Sequence, residues 1–197
     1  MKIYDISQEL FGCVVFPGDP APQRTVLFET EKGDLCNLTA FSMCAHNGTH
    51  VDAPYHFLHE GRTVEQIPLS TLVGYAFVAE HDGTLTAEDA VRILKRAEQE
   101  NAEARKRILI KGCATVSVEA ARVFVEGGVE LVGNESQTVG PEDAPAEVHY
   151  CLLGADAVLL EGIRLREVPE GVYLLNCAPL CLGGADGSPC RAILIQL

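Results

Sequence analysis

The stretch His46-Asn-Gly-Thr-His50-Val-Asp52-Ala-Pro54-Tyr-His56 puts three imidazoles and a carboxylate within eleven residues. Neutral imidazole and carboxylate are ordinary ligands for zinc and for manganese. Gly48 allows the chain to turn tightly inside this run, and Pro54 constrains its exit. Asp52 lies two residues after His50, so in an extended segment the two side chains point the same way. The glycine and the proline predict a loop leaving a strand, not a helix. No Glu follows His46, which separates the run from the helical HExxH arrangement of zincins. The chain has six histidines, and four of them (His46, His50, His56 and His59) fall within fourteen residues. That concentration favours a metal-binding loop over a surface loop that happens to be rich in histidine.

Outward from this run, Arg24–Thr30 and Asn37–Cys44 alternate apolar and small polar residues, the pattern of half-buried strands. Ile3–Ser7 is a further short strand, and Phe16–Pro20 a turn. After the run, Tyr75–His81 is strand-like, and the capping box Thr86-Ala-Glu-Asp89 opens a helix predicted to reach about Ala104. Arg107–Lys111 is predicted as a buried strand. Ser117 caps a helix through Glu126, and Val129–Val132 forms a strand closed by Gly133. A third helix over Ala146–Leu153 precedes the apolar strand Ala157–Leu160. Two last strands, Val172–Asn176 and Arg191–Gln196, flank the loop Gly183–Gly187. Helices alternate with strands in the middle and strands dominate both ends. The expectation is a single α/β domain over residues 1–197, with a mixed β-sheet core and flanking helices.

At 197 residues, with 47% hydrophobic and 22% charged residues, the chain suits one globular domain with a sizeable core. The net charge of −13 and the lack of a Lys/Arg cluster argue against a nucleic-acid partner. No stretch approaches 18 uninterrupted apolar residues, so no membrane-spanning helix is expected. The opening residues lack the apolar core of a signal peptide, which makes the cytoplasm the expected location. The eight cysteines include no CxxC pair, and most lie in apolar runs such as Ile108–Cys113 and Val172–Cys177. They are expected to be free thiols acting as small hydrophobes.

The run His46–His56 resembles the hallmark HxGTHxDxPxH of the metal-dependent cyclase-like hydrolases, which include bacterial kynurenine formamidase and isatin hydrolase, and it matches at every specified position. Tyr4-Asp-Ile-Ser7 is similar to that family's opening strand, Phe16-Pro-Gly-Asp19 to its PGD turn and Leu160-Glu-Gly162 to its LEG strand end. Pro179-Leu180, Gly187-Ser-Pro189 and Arg191-Ala192 resemble its closing segment.

The resemblance implies a cyclase-like, swivelling β/β/α fold and a homodimer or homotetramer. It implies two divalent metal ions, zinc first, with manganese and then iron as alternatives that the same ligands suit. His46, His50 and Asp52 would bind the first, with Asp52 bridging to a second held by His149 and Glu161. Two residues support that second site independently, since His149 lies on a predicted helix and Glu161 ends an apolar strand where a carboxylate needs compensation. The competing assignments are a salt bridge from Glu161 to Arg164 or Arg166, and a solvated His149. His56 is the implied proton donor and acceptor, with metal ligation, or hydrogen bonding to a metal ligand, as its alternatives. His59 and His81 match no family role.

The implied reaction is hydrolysis of a small amide by water activated at the metal, with His56 passing the proton to the leaving nitrogen. Formamidases typically carry Trp before the PGD turn, stacked on the aryl ring of N-formylkynurenine. Phe16 stands there as the substrate-binding residue, and the chain has no Trp. Asn134-Glu-Ser-Gln-Thr138 replaces the family's usual Asp-x-Pro-Ser, with Glu135 and Thr138 in place of its acid and hydroxyl. Three functions fit: an arylformamidase, a hydrolase of another small cyclic amide such as isatin, and a non-catalytic metal- or ligand-binding protein of the same fold.

Overall fold

The apolar runs in the middle of the chain form the centre of one large sheet. The computed structural model describes residues 1–196. The first strands are β1 (Lys2–Asp5), β2 (Gln23–Phe28), β3 (Leu38–Ser42) and β4 (His50–Asp52). A single helical turn, α1 (Leu69–Leu72), leads into β5 (Val73–Glu80) and the short β6 (Gly83–Leu85). Next come α2 (Ala87–Glu100), β7 (Arg107–Lys111), β8 (Ala114–Val116) and α3 (Val118–Glu126). They are followed by β9 (Leu131–Asn134), α4 (Ala146–Gly154) and β10 (Val158–Glu161). The last strands are β11 (Gly171–Asn176), β12 (Gly187–Pro189) and β13 (Ile193–Gln196).

Nine strands make one mixed sheet in the order β1-β13-β11-β5-β7-β9-β10-β4-β12. Neighbours among β5, β7, β9 and β10 are parallel, and antiparallel strands continue on both sides. The parallel strands are buried on both faces, as crossover helices require. Ile108 and Ile110 face one way, with Phe77, Val132 and Leu159, against Ile93 of α2, Phe124 of α3 and Leu152 of α4. Leu109 faces the other way, with Val78, Leu131 and Leu160. That second cluster also takes in Tyr4 and Leu194 from one end of the sheet and Val51 from near the other, so the sheet curls around it. Each fully buried aliphatic side chain contributes about 1.5–3 kcal/mol.

Several local expectations change. The histidine-rich run is not wholly loop, because His50–Asp52 forms β4, paired with β10 on one side and β12 on the other. Its flanking glycine and proline mask a strand of three residues. Arg24–Thr30 and Asn37–Cys44 do hold strands, but β2 and β3 form a separate ribbon whose residues are all exposed. Helix α2 stops at Glu100 because the Asn101 side chain accepts the Glu103 amide at 2.9 Å, capping a following 3₁₀ turn. Gly133 lies inside β9 rather than closing it, where a Cβ would meet Leu109 Cδ2 at 2.6 Å and the Leu160 carbonyl at 3.0 Å. All eight cysteines are free, yet only Cys177 is fully buried, and Cys36, Cys113 and Cys181 are exposed. Cys113 leaves the core because Gly112, at φ 114°, turns the chain after β7.

Candidate active site

Strand register assembles the site. His50 of β4 pairs with Glu161 of β10, and Asp52 pairs with Leu159. His50 and Asp52 project to one side of β4, while the intervening Val51 is 0% exposed in the apolar cluster on the other. Gly48, at φ 67°, occupies the left-handed region a side chain would resist, and its carbonyl lies 3.1 Å from His50 Nδ1. Pro54 then begins the 3₁₀ turn Pro54–His56 that carries His56 back toward the site. α4 supplies His149, whose Nδ1 donates to the Pro145 carbonyl at 2.9 Å and leaves Nε2 for the site.

The ligating atoms converge. Asp52 Oδ1 lies 2.7 Å from His46 Nδ1 and 3.2 Å from His50 Nε2. Glu161 reaches two ways, Oε2 to His50 Nε2 at 3.6 Å and Oε1 to His149 Nε2 at 3.4 Å. His149 Nε2 is also 3.8 Å from Asp52 Oδ2. Two triads, His46–His50–Asp52 and Asp52–His149–Glu161, therefore share Asp52 and could each hold a divalent cation. Asp52 Oδ2 is buried without a hydrogen-bond partner, which is the state of a carboxylate oxygen built to meet a cation. The donors are imidazole and carboxylate with no thiolate, a set that fits zinc or manganese.

The buried carboxylates make the imidazoles around them more basic. Burial opposes protonation of His46, but the Asp186 and Asp52 carboxylates outweigh it and hold its pKa near 11. Burial likewise opposes His50, and Asp52 with Glu161 raises it to about 9. His149 is raised by Glu161 against the same penalty. Asp52 is pulled well below the usual carboxylate range, since His46 and His50 overcome its desolvation.

The predicted competitors do not form. Arg164 Nη1 donates to the carbonyls of Glu135 and Ile163, and Arg166 lies beside Glu167, so neither pairs with Glu161. His149 is only 3% exposed. Glu135 is drawn away from the site, accepting the amides of Gly112 and Leu165 at 2.8 Å each. Thr138 stays, lining with Phe16, His56, Phe57 and Gln137 a cavity of about 210 Å³ above the triads. Phe57 stacks on His149 at 4.6 Å between centroids. Asp186 escaped the sequence reading. Its Oδ2 accepts from His46 Nε2 at 2.8 Å and from His56 Nδ1 at 3.1 Å. The only local signal was an acid in the loop Gly183–Gly187, immediately before the Gly187-Ser-Pro189 motif.

The Cyclase family model, described as "Putative cyclase", matches residues 4–141. The chain belongs to this cyclase family. A kynurenine formamidase of Salinibacter ruber is 31% identical over 98% of this chain and 97% of its own length. One from Erythrobacter litoralis is 29% identical over 100% and 94%. Among solved structures, a "Potential Metal-Dependent Hydrolase With Cyclase Activity" superposes with a TM-score of 0.81 at 28% identity, covering 98% of this chain and 96% of the other. Isatin hydrolase A of Labrenzia aggregata, at 22% identity and TM-score 0.84 over 100% and 94%, shares the cyclase fold.

Proposed function

We propose that this protein, a single cyclase-family unit over residues 1–197, is a metal-dependent amidohydrolase of the arylformamidase type. It hydrolyses the C–N bond of N-formylkynurenine to give kynurenine and formate. The observation that carries the reading is the shared, buried Asp52, one oxygen of which lacks any hydrogen-bond partner between two histidine-containing triads. His46, His50 and Asp52 would hold one ion, and Asp52, His149 and Glu161 a second, with zinc the first choice and manganese the alternative. A bound divalent cation supplies a water of lowered pKa and polarises the scissile carbonyl. His56, at the cavity wall, accepts a proton as the amide is attacked and returns it to the leaving nitrogen. Phe16, which also lines the cavity, stacks against the aryl ring.

A homodimer or homotetramer is supported by the exposed ribbon β2–β3, which displays Val26, Leu27, Phe28, Leu38 and Phe41. A lone two-stranded ribbon is marginal in water and favours a covering partner. The cytoplasm is supported by the eight free thiols. The described residues include no helix long and apolar enough to cross a membrane.

The test is formate release from N-formylkynurenine by zinc- or manganese-loaded protein, with isatin assayed in parallel. Turnover of N-formylkynurenine at least tenfold above isatin is expected. Preference for isatin would move the substrate to cyclic amides, and no turnover of either by fully loaded protein would remove the formamidase reading. Light scattering reads the assembly.

A further inference from the structure

Asp186 precedes β12 on a loop that backbone bonds pin to the site. Its carbonyl accepts the Ala53 amide at 2.9 Å, the Ala185 carbonyl accepts that of Val64 at 2.9 Å, and Gly187 pairs with Asp52. Gly187 also admits the His46 ring, since a Cβ there would lie 2.5 Å from His46 Cε1. One oxygen of Asp186 is thus delivered to two imidazoles at once, His46 through Nε2 and His56 through Nδ1. The two rings stack at 4.0 Å with 29° between their planes, so neither can rotate without disturbing the other. Asp186 is not among the residues that line the cavity, whereas both imidazoles it bonds are.

We infer that Asp186 is a positioning residue that sets the tautomers of His46 and His56 together, which rests on the proposed function and deepens it. When a cation displaces the proton on the His46 nitrogen that faces Asp52, a carboxylate accepting Nε2–H keeps Nδ1 as that ring's ligating nitrogen, on the side of Asp52 and the first triad. The same oxygen accepting His56 Nδ1–H leaves Nε2 as the nitrogen that takes and returns a proton. Metal ligand and proton carrier are thereby oriented by a single acceptor. The competing assignment is metal ligation, because His46, His56 and Asp186 also offer atoms within 4.8 Å of one another. The experiment separates the two.

Full-length Asp186→Ala and Asp186→Asn are compared with the parent by ¹⁵N spectroscopy of the histidine rings, zinc competition with a chelator, and steady-state kinetics. In the parent, at a pH where the ring is neutral, His56 should carry its proton on Nδ1, and this signature should be lost in Asp186→Ala. Zinc affinity should weaken about 10–100-fold with stoichiometry at saturating zinc unchanged, as for other outer partners of metal-bound histidines. The kcat should fall by about 10–100-fold, with little further loss when Asp186→Ala is added to His56→Ala, since residues acting as a unit are non-additive. Unchanged ring tautomers and zinc affinity would overturn the assignment. Loss of a zinc equivalent at saturation would overturn it by making Asp186 a ligand. The tautomer and affinity readouts hold even if N-formylkynurenine is not the substrate, so failure of the substrate reading is told apart from failure of this one.

Discussion

Asp52→Asn preserves shape and removes one charge, so it isolates what the buried carboxylate does. In the metal-free chain Asp52 is 1% exposed and bonded to His46 and His50, whose raised pKa values of about 11 and 9 make both rings cationic at pH 7. Removing one partner of a buried ion pair costs about 3–5 kcal/mol. At about 2–4 °C per kcal/mol for a chain of this size, the melting temperature in EDTA should fall by about 6–20 °C. The sign with pH follows from the shifts. The depressed Asp52 contributes above its unfolded value, and the raised histidines contribute fully below theirs. The gap between parent and variant is therefore widest between about pH 3.9 and 6.5. It narrows as pH rises through the folded value of His50, near 9, and then that of His46, near 11. With zinc the gap should widen again, because the parent gains about 4 kcal/mol at a thousandfold excess over Kd while an amide ligates poorly. Scanning calorimetry in EDTA and in zinc, with elemental analysis, measures both parts. A variant that melts like the parent in EDTA and keeps two zinc equivalents would refute the reasoning.

His56→Ala should lower kcat by about 10²–10⁴ while zinc stoichiometry stays at the parental level, and a drop in bound zinc would make His56 a ligand instead. Gly133→Ala forces a methyl to within 2.6 Å of Leu109 Cδ2 in the middle of the sheet, so urea denaturation should show a loss of about 1–3 kcal/mol at constant m-value. Burial raises the Cys190 thiol to about 12 and Cys177 well above its usual value, whereas Cys36, Cys113 and Cys181 are exposed. At pH 8 a disulfide reagent should label those three quickly, Cys190 slowly because its thiolate is scarce, and Cys177 only on unfolding. Equal labelling rates would contradict the burial.

What the sequence made legible was local. His46, His50 and Asp52 are close in number, so spacing alone suggested one site, and the i, i+2 relation of His50 and Asp52 holds because that segment is extended. Helices α2 and α3 were legible through their caps, Thr86 and Ser117. The misses are of another kind. β4 is a strand because two distant strands flank it, and nothing in a three-residue segment bounded by Gly48 and Pro54 announces those partners. The ribbon β2–β3 alternates like a half-buried strand, yet every residue of both strands is exposed, with Phe41 meeting Phe11 edge-on. Asp186 meets His46 from 140 positions away, a relation no local pattern contains.

The position of the site follows from the economy of β4. Three residues serve two opposed environments, Val51 sealing the apolar cluster inside the curl and His50 with Asp52 gathering charge on the other face. A charged group so near a core is tolerated only if each is answered by another, and the register supplies the answers. β10 brings Glu161 opposite His50, and the loop before β12 brings Asp186 beside His46. Slipping either neighbour by one residue would turn its side chains to the opposite face and put β10's Leu160 where Glu161 stands. The hydrophobic pattern that fixes the fold therefore also fixes the ligand geometry, because the same alternation that buries Val51 and Leu160 leaves His50, Asp52 and Glu161 facing one another.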